Sequence, residues 1–425
     1  MDRMIFHGDP FVGAIDCTEV ESIIDHPTFQ RLGFIKQLGL AHLIFRQAQH
    51  TRLQHSLGAY ERTKQRMRMW CKLGIVDRET ARDIEIFGLI HDIGHGPYSH
   101  TIEGVTSIDH DERGLQRLTE LEKVINRCGG NYQRVKRLFS HRDPLYKAVH
   151  DKNLGTEKFD YLERDSAYTN SGKPQFRDLP YHIKFMKGEI VIDYRDDLLD
   201  AAIHIPEFYM DMYKNVYMQS NSLILSQLEQ GFVFHLLKEG EITQNQLWEM
   251  VDADLDAKIL NSKQPWIVSG GQKLRNRQWP KVAISIKQSR FIESETFENE
   301  KKIMSVFSVS ARRMKKIAVY FHHNPRRIAE AEKEIEKEFG FPEHSVLIVP
   351  IADSQRFKAQ QIKVYKEGEG ISSLEKWRPE GVARLNEIAQ SYMCLRVAVD
   401  PEHRERLAGK SVSKAVVKYL LSESC

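Results

Sequence analysis

The spacing of apolar residues changes near residue 255, and this change limits the folds that the chain can adopt. Before it, apolar residues recur at intervals of three and four, which is typical of amphipathic helices. After it, short alternating or β-branched runs dominate, which is typical of strands. We therefore predict a mainly α protein, with a helical core over residues 1–255 and a smaller α+β module over 256–425.

The first part is predicted to consist of long helices. The segments with helical spacing are 19–40, 78–93, 112–127 and 208–238, the last as one or two helices. Pro27 suits the first turn of a helix, with Asp25 just before it. Gly94, Gly96 and Pro97 are predicted to end the second helix.

The second part is predicted to combine strands with one clear helix. The predicted strands are 280–287, 316–321, 345–351 and 395–399. Residues 325–339 are predicted to form a helix that Gly340 ends. Residues 261–280 contain two Gly, two Pro and two Trp, and this composition predicts a loop or domain junction.

Composition excludes several classes of protein. With 425 residues and 41% hydrophobic content, the chain is not disordered, and it is long enough for two or three domains. No apolar run reaches the roughly 18 residues that a membrane-spanning helix needs, and the first residues do not resemble a secretory signal. The five cysteines are widely spaced without a CxxC pair, which argues against a disulfide scaffold. We expect a cytoplasmic protein without membrane contact.

The net charge of +3 conceals a strongly basic segment. Residues 257–329 contain 16 Lys or Arg and 4 Asp or Glu, a balance of +12, so the rest of the chain carries −9. Trp266 and Trp279 lie among these basic residues, an arrangement that can bind phosphates or single strands. The alternatives are a surface that meets another copy of the chain, an effector-nucleotide site and, least favoured, a nucleic-acid site. We expect a homo-oligomer.

Histidine is concentrated in one short stretch. Four of the 18 histidines lie within residues 91–110, and they are His91, His95, His100 and His110. The pair His91-Asp92 follows an apolar helix, where such groups are unfavourable to bury unless they are paired or metal-bound. His91 and His95 share a helical face if the helix continues that far. Imidazole and carboxylate ligands suit Mn, Fe, Co, Ni, Zn or Mg. The alternative is that these are core histidines with satisfied hydrogen bonds.

A second candidate element lies upstream of the histidine-rich stretch. Arg52 and His55 are three residues apart and can lie on one helical face. A metal-binding imidazole beside a guanidinium can place an ion next to a phosphate that the guanidinium also binds. This pair is informative only together with the other elements.

A third element spans residues 155–165. Glu157, Tyr161 and Asp165 follow one another at intervals of four, so they share a helical face, and Lys158 is next to that face. Such a row can ligate a metal ion at one end and bind a hydroxyl or phosphate group further along. The alternative is a solvated polar face.

Taken in order, these elements resemble the HD-domain phosphohydrolases. The similarity is greatest to the deoxynucleoside triphosphate triphosphohydrolase branch, which includes SAM-and-HD-domain proteins. It covers roughly residues 10–240, and its segments are 24–40, 49–58, 88–100, 110–114 and 155–166. The resemblance implies an HD-domain helical core. It also implies metal-dependent hydrolysis of a deoxynucleoside triphosphate (dNTP) to a deoxynucleoside and tripolyphosphate.

The resemblance also implies the ligands of one divalent metal ion. It places His55, His91 and Asp92 at three ligand positions. The fourth position, where the family has an aspartate, holds Glu157 in this chain. Asp160, about one turn further on, is the alternative fourth ligand.

The same resemblance implies roles around the scissile phosphate. It matches His95, His100 and His110 to the family's catalytic histidines, and it implies that Glu103 orients His100. A histidine held by a carboxylate keeps a defined tautomer and can act as a general acid. Arg52 and Lys158 would stabilise the phosphate oxygens.

Four further residues match the family's sugar-binding positions. The resemblance implies that Gln37 and Leu38 meet the sugar and that Asp165 binds its 3′-hydroxyl. It places Tyr161 against C2′ of the sugar, where a phenol ring would leave no room for a 2′-hydroxyl.

Regulation is implied less completely. Asp25 and Gln30 match two residues of a second, guanine-nucleotide site found in some members, but Gly33 replaces the arginine of that site. The resemblance begins near residue 10, so we expect no N-terminal SAM domain.

Two other functions remain open. One is an HD phosphohydrolase that acts on nucleotide monophosphates or single-stranded nucleic acid. The other is a catalytically inactive nucleotide-sensing protein, which Glu157 and the basic segment both suggest.

Overall fold

Long helices dominate the first two thirds of the chain. The computed structural model describes residues 4–291, 303–351 and 361–423, and it begins with a hairpin of β1 (Phe6–Asp9) and β2 (Gly13–Asp16). The helices that follow are α1 (Glu21–Ile24), α2 (Pro27–Gln30), α3 (Arg52–Lys72), α4 (Arg78–Ile90), α5 (His110–Arg117), α6 (Glu122–Arg127), α7 (Tyr132–Phe139), α8 (Lys147–His150), α9 (Thr156–Thr169), α10 (Asp196–Met212), α11 (Ser220–Lys238), α12 (Gln244–Glu249), α13 (Asp252–Leu260) and α14 (Pro265–Arg275).

Helix α3 lies at the centre of this part, where it packs against both α4 and α9. The contact with α9 is close at Gly58, where a methyl group would clash with Asp160 and Arg164. A glycine at this position therefore lets the two helices approach, and their polar residues can meet in the interior.

Three of the four predicted helical segments of the first part contain the expected helices. Segment 78–93 contains α4, and segment 208–238 contains the end of α10 and all of α11. Segment 112–127 is divided into α5, a 3-10 turn over Leu118–Leu121 and α6.

Segment 19–40 forms several short helical elements, with Pro27 at the first position of α2 as predicted. The segment holds only the short helices α1 and α2 and 3-10 turns. His26 has an extended backbone, and its side chain accepts a hydrogen bond from the amide of Thr28. A residue before proline is driven to this extended conformation, so Pro27 starts a new helix instead of continuing the first.

The second part of the chain contains a four-stranded sheet with helices against it. The order of its strands is β6 (Ser305–Val309), β5 (Lys281–Gln288), β10 (Cys394–Val399) and β7 (Val346–Ile351). The helices of this part are α15 (Ala311–Phe321), α16 (Pro325–Phe339), α17 (Pro379–Ser391), α18 (Arg404–Ala408) and α19 (Lys410–Glu423). The predicted strands 280–287, 345–351 and 395–399 are confirmed, as is the helix 325–339 with Gly340 after it.

Two predictions in this part are wrong. Residues 316–321 belong to α15, not to a strand; the hydroxyl of Ser310 caps the helix by accepting a hydrogen bond from the amide of Arg313. The buried positions 314, 317, 318 and 321 follow the helical spacing, which outweighs the β-branched composition of the run. Residues 265–275 of the predicted loop form α14, which starts at Pro265.

A second sheet joins the two parts of the chain. Its order is β3 (Ile183–Met186), β4 (Glu189–Asp193), β8 (Lys363–Lys366) and β9 (Gly370–Ser373), and β4 pairs with β8 in parallel. Ile362, Val364 and Leu374 lie in the same apolar core as the first helices. The division at residue 255 stays a prediction. Residues from beyond it pack into the core of the helical first part.

The described part of the basic segment is largely used within the chain, while residues 292–302 lie outside the described residues. Lys273 pairs with Asp400, and Arg290 contacts Glu387. Trp279 is buried, and Trp266 stacks on the ring of His344 with their centroids 3.9 Å apart. Both tryptophans thus have aromatic or core partners within the chain, and the nucleic-acid alternative stays a prediction.

Two properties of the described residues bear on the class of protein. Over the ranges 4–291, 303–351 and 361–423, the helices that are long enough to cross a membrane are not apolar enough to do so. Cys17, Cys71, Cys128 and Cys394 are free thiols.

Candidate active site

A cavity of about 420 Å³ lies between α3, α9, α10, α11 and the loop that follows α4. This volume is within the range of small-molecule sites. Most of the predicted site residues line it: Gln37, Leu38, Arg52, His55, Asp92, His95, His100, His110, Glu157, Tyr161 and Asp165. His91, Glu103 and Lys158 are not part of its wall, and each of them contacts a residue that is.

Two imidazoles face each other at the cavity: His55 lines it, and His91 contacts His55. The Nε2 atoms of His55 and His91 are 3.2 Å apart. Nδ1 of His55 is 2.8 Å from Oδ2 of Asp160, and Nδ1 of His91 is 2.9 Å from the carbonyl oxygen of Gly88. Since both Nδ1 atoms donate to these acceptors, both Nε2 atoms present lone pairs, and a proton or a metal cation must lie between them.

Two carboxylates lie near this pair, and Asp92 forms a group with both imidazoles in which the ligand atoms are within 4.8 Å of one another. Oδ1 of Asp92 and Oε2 of Glu157 are each 3.5 Å from Nε2 of His91. Burial would raise the pKa of Asp92, but Arg52 and the neighbouring histidines hold it well below its usual range, so this carboxylate is ionised. Two imidazoles and two carboxylates form a donor set that fits a borderline or hard divalent ion.

Asp160, the alternative fourth ligand, lies behind His55 and away from the shared point. Its second partner is Arg164, whose Nε and Nη2 lie 3.0 and 2.9 Å from the two carboxylate oxygens. Asp160 is completely buried, and both of its oxygens are occupied by His55 and Arg164. The geometry therefore favours Glu157 as the ligand and gives Asp160 the task of orienting His55.

His150 is a site residue that the sequence analysis missed. Its Nδ1 lies 2.8 Å from Oε2 of Glu157, and its side chain lines the cavity. Burial alone would lower the pKa of His150, but the charge of Glu157 raises it to about 9. His150 ends α8 and Glu157 begins α9, so no helical spacing connects them and the sequence offers no periodic signal for the pair.

The other histidines form a separate cluster beyond Asp92. The rings of His95 and His110 are stacked with centroids 4.0 Å apart, and His100 meets both edge-on at 4.9 Å. Helix α4 ends at Ile90, so the condition under which His91 and His95 would share a helical face is not met. A close approach at Gly94, where a methyl group would clash with the His110 carbonyl and Gly114, brings α5 against this loop instead.

Glu103 connects two members of this cluster. Its Oε1 is 2.6 Å from Nδ1 of His110 and 3.1 Å from Nδ1 of His100. Burial would lower the pKa of His110, but the hydrogen bond and charge of Glu103 raise it. The predicted contact between Glu103 and His100 is present, and the shorter contact is with His110.

Arg52 lies between the metal-binding candidates and the histidine cluster. Its Nη1 donates to Oδ2 of Asp92 at 2.7 Å, and its Nε donates to Oγ of Ser99 at 2.9 Å. Ser99 has a backbone φ of 61°, in the left-handed region that non-glycine residues rarely adopt. Strain of this kind concentrates at functional sites, because the surrounding contacts must maintain it.

Aromatic side chains form the opposite wall of the cavity. Tyr209, Tyr213 and Tyr217 lie at intervals of four around the end of α10, a spacing that the sequence analysis did not use. The hydroxyl of Tyr217 donates to Oδ2 of Asp165 at 2.8 Å, and Nε2 of His50 lies 2.8 Å from its Oδ1. Both oxygens of Asp165 thus have partners within the protein.

Arg52 and Lys158 are both predicted to bind phosphate, but only Arg52 lines the cavity. Its Nζ lies 3.6 Å from the centre of the Tyr209 ring and donates to the hydroxyl of Tyr161 at 3.0 Å. Burial lowers the pKa of Lys158 to about 7.

Gln37 has an unpaired polar atom at the cavity wall. Its Oε1 is buried and has no hydrogen-bond partner among the described residues.

The residues matched to a regulatory site do not form a pocket with a free guanidinium. Asp25 and Gln30 are exposed, and Gln30 donates to the carbonyl of Ile24 at 2.8 Å. The nearby Arg31 points inward, where it donates to the carbonyl oxygens of His95 and Met250.

Known proteins resemble part of this chain in sequence. No family model matches it. It is 31% identical over 245 residues to a putative HD domain-containing protein of Acanthamoeba polyphaga mimivirus, covering 49% of this chain and 52% of that protein. It is 40% identical over 111 residues to the deoxynucleoside triphosphate triphosphohydrolase SAMHD1 of Gallus gallus, covering 24% and 17%. The chain thus spans about half the length of the first of these relatives.

The fold has counterparts among solved structures. A phosphohydrolase from Bacteroides thetaiotaomicron superposes with a TM-score of 0.70 over 93% of this chain and 100% of that one, at 19% identity. A hypothetical protein from Aquifex aeolicus superposes with a TM-score of 0.67 over 96% of this chain and 99% of that one, at 21% identity. These superpositions show a shared fold, and the sequence matches add a relative that carries an HD domain.

Proposed function

We propose that this protein is a metal-dependent phosphohydrolase that converts a dNTP to a deoxynucleoside and tripolyphosphate. One observation carries the proposal: His55, Asp92 and Glu157 line a cavity, with His91 in contact with His55, and the same cavity exposes Arg52 and four further histidines. A metal-binding group, a phosphate-binding group and candidate proton donors are thus within reach of one ligand.

The protein holds its candidate metal ligands in fixed orientations. Asp160 and the Gly88 carbonyl bind the Nδ1 atoms of the two imidazoles and leave both Nε2 atoms directed at one point. A divalent ion bound there would lower the pKa of a water molecule and neutralise phosphate charge. Such partners behind the ligands raise affinity because they remove rotational freedom.

Other residues would bind the phosphates and supply the proton that the leaving group needs. Arg52 reaches the cavity beside Asp92, and its guanidinium would bind phosphate oxygens. Glu103 engages Nδ1 of both His100 and His110, and Nε2 of His110 lies 3.5 Å from Oδ1 of Asp111. The raised pKa of His110 favours it as the acid that protonates the departing 5′-oxygen of the deoxynucleoside.

The cavity wall supports a nucleoside substrate. Tyr161, Tyr209 and Tyr217 line the cavity, and the unpaired Oε1 of Gln37 can accept a hydrogen bond from a sugar hydroxyl. We further propose that Tyr161 packs against C2′ of the sugar and selects deoxyribose, and that the Asp165–Tyr217 pair binds the 3′-hydroxyl.

Product analysis tests the proposal. The purified chain is incubated with each dNTP and with Mn²⁺ or Mg²⁺, and the products are identified by chromatography. We expect a deoxynucleoside and tripolyphosphate from at least one dNTP, and loss of turnover in Asp92→Ala. The variant Arg68→Gln, on an exposed face of α3, is the matched control and should keep full activity. Release of a monophosphate and pyrophosphate, or no turnover with any divalent metal, would contradict the proposal.

A further inference from the structure

A second, smaller cavity lies on the side of α9 that faces away from the candidate active site. Its volume is about 180 Å³, and it shares no wall residue with the first cavity. Its wall combines Arg62 and Arg66 of α3, Phe159 of α9, and Arg177 and Tyr181 of the following loop. Three guanidinium groups thus surround a space that is large enough for a phosphate group and too small for a whole nucleotide.

Arg66 is the most informative of these residues. Its side chain is buried, with 3% of the residue exposed, and its Nη1 donates to the carbonyl oxygen of Ala148 at 2.6 Å. Its Nε has no hydrogen-bond partner, and no carboxylate of the described chain lies within ion-pair distance of it. The nearest opposing charge is Asp151, whose Oδ1 already accepts hydrogen bonds from the amides of Asn153 and Leu154.

This arrangement is unfavourable without a further partner. Burial lowers the pKa of Arg66 to about 9, which reflects the loss of water around its charge. A buried charge is normally paired, because removing an ion from water without compensation is strongly destabilising. An anion in the cavity would supply the missing partner.

The two other arginines can reach the same space. Arg62 binds Glu163 through Nη2 at 2.5 Å, and its Nε lies 3.7 Å from Oδ1 of Asp160. Arg177 is exposed and forms no ion pair with any described residue, and its backbone φ of 48° lies in the left-handed region. A non-glycine residue held in this region needs support from its surroundings, and a ligand that Arg177 binds would provide it.

We propose that this cavity binds a phosphate-bearing anion, with Arg66 at its base and Arg62 and Arg177 at its sides. Guanidinium groups suit this ligand because their planar donors match the oxygens of phosphate in pairs. The ligand is either free phosphate or the phosphate end of a larger molecule whose remainder extends past the exposed ring of Tyr181.

The binding test uses the full chain after metal has been removed by chelation, so that a bound metal ion cannot attract the anion to the first cavity. Thermal unfolding is followed during titrations with inorganic phosphate, tripolyphosphate and a deoxynucleoside monophosphate. A ligand that binds only the folded state raises Tm in a saturable way. We expect inorganic phosphate to raise Tm by a few degrees, with half-saturation below about 10 mM.

Substitutions locate the binding site. We expect Arg177→Ala and Arg66→Gln each to weaken the apparent affinity for phosphate at least tenfold, whereas Arg68→Gln, on an exposed face of the same helix, leaves it unchanged. Arg177 is exposed, so its variant keeps the test valid even if Arg66→Gln does not fold. Stronger binding of the monophosphate than of phosphate would identify a nucleotide as the source of the phosphate group, and the reverse would identify free phosphate.

Three results would overturn the proposal. They are no saturable change in Tm, an equal change in Arg177→Ala and the wild type, and a change that disappears in Arg52→Gln. The last result would place the anion in the first cavity. None of these outcomes depends on whether the chain hydrolyses dNTPs, so failure here is distinct from failure of the proposed activity.

Discussion

Glu157 stands where the HD-domain phosphohydrolases have an aspartate, and the structure shows what the longer side chain contacts. The additional methylene of Glu157 lets its carboxylate reach a point 3.5 Å from Nε2 of His91 while it also binds Nδ1 of His150. The longer side chain and the histidine behind it thus act together.

Substitutions of Glu157 test its place as a metal ligand. We expect Glu157→Ala to weaken Mn²⁺ binding by more than about tenfold, because one of four ligands is lost. Glu157→Asp retains a carboxylate and should keep or raise metal occupancy. Isothermal titration calorimetry with Mn²⁺ measures both. If Asp160→Ala removes the metal and Glu157→Ala does not, the fourth ligand is Asp160.

His150 should act by positioning Glu157. We expect His150→Ala to weaken Mn²⁺ binding about tenfold, because Glu157 loses the partner that fixes its rotamer. His150→Gln retains a hydrogen-bond donor and should restore most of the affinity. A purely structural role would affect thermal stability in both variants and leave Mn²⁺ affinity unchanged in folded protein, so equal affinity in His150→Ala and wild type would refute this role.

At the scale of helices and strands, the close contact of α3 and α9 is a requirement for the site. A methyl group at Gly58 would clash with Asp160 and Arg164, which together orient His55. We expect Gly58→Ala to lower the free energy of unfolding by about 1–3 kcal/mol, as overpacking in a core does, and to weaken Mn²⁺ binding. Urea denaturation measures the first effect.

Gly231 provides the matched control for Gly58. It also lies within a helix, α11, and a methyl group there would meet nothing within 4 Å. Gly231→Ala should therefore stabilise the protein by about 0.5–1 kcal/mol through its higher helix propensity. Equal effects of the two substitutions would show that the clash at Gly58 is relieved by an easy movement of α9.

Helices and strands with regular spacing were predictable from the sequence, whereas contacts between distant elements were not. Residues 325–339 have both a helical period and a glycine stop, and the structure agrees. Residues 316–321 contain β-branched residues, and only their packing as α15 shows that the three-and-four spacing prevails. The pairing of His150 with Glu157 depends on how α8 meets α9, which no local pattern encodes.

The contact between α16 and β7 should make stability depend on pH. Burial raises the pKa of Glu336 to about 7, although its Oε1 accepts a hydrogen bond from the amide of Val346. Glu332, Glu343 and His344 are the titratable groups around it. Since the folded state holds this proton more tightly than the unfolded state, its stabilising effect is complete below about pH 4 and is lost as pH rises through 7.

Glu336→Gln removes this titration and can keep the hydrogen bond from Val346. We therefore expect Tm of the wild type to fall between pH 5 and pH 8 by more than Tm of the variant does. Differential scanning calorimetry at several pH values gives both slopes. Identical slopes would mean that Glu336 stays ionised in the folded protein throughout this range.

For the whole molecule, the path of the chain says more about whether the two parts are separate domains than the change of residue pattern near residue 255 does. Strands β8 and β9 extend the sheet that β3 and β4 begin, and α17 packs on α10 through Val382, Leu385 and Ala389. The sheet of the second part also shares an apolar core with α11, to which the sheet contributes Leu347 and Val349. The wall of the first cavity contains residues from α10 and α11, so the second part supports the candidate site without contributing to its wall.

A truncation therefore tests whether the first part is an independent domain. Residues 1–255 alone would expose the edge of β4 and the apolar residues that Ile362, Val364 and Leu374 cover. We expect this fragment to lack a cooperative thermal transition and to bind Mn²⁺ weakly, although its helix content by circular dichroism remains high. The full chain under the same conditions is the control, and it should unfold cooperatively. A fragment with a sharp transition and the Mn²⁺ affinity of the full chain would instead establish residues 1–255 as a domain. In that case, the returning strands would be an accessory to a core that is stable without them.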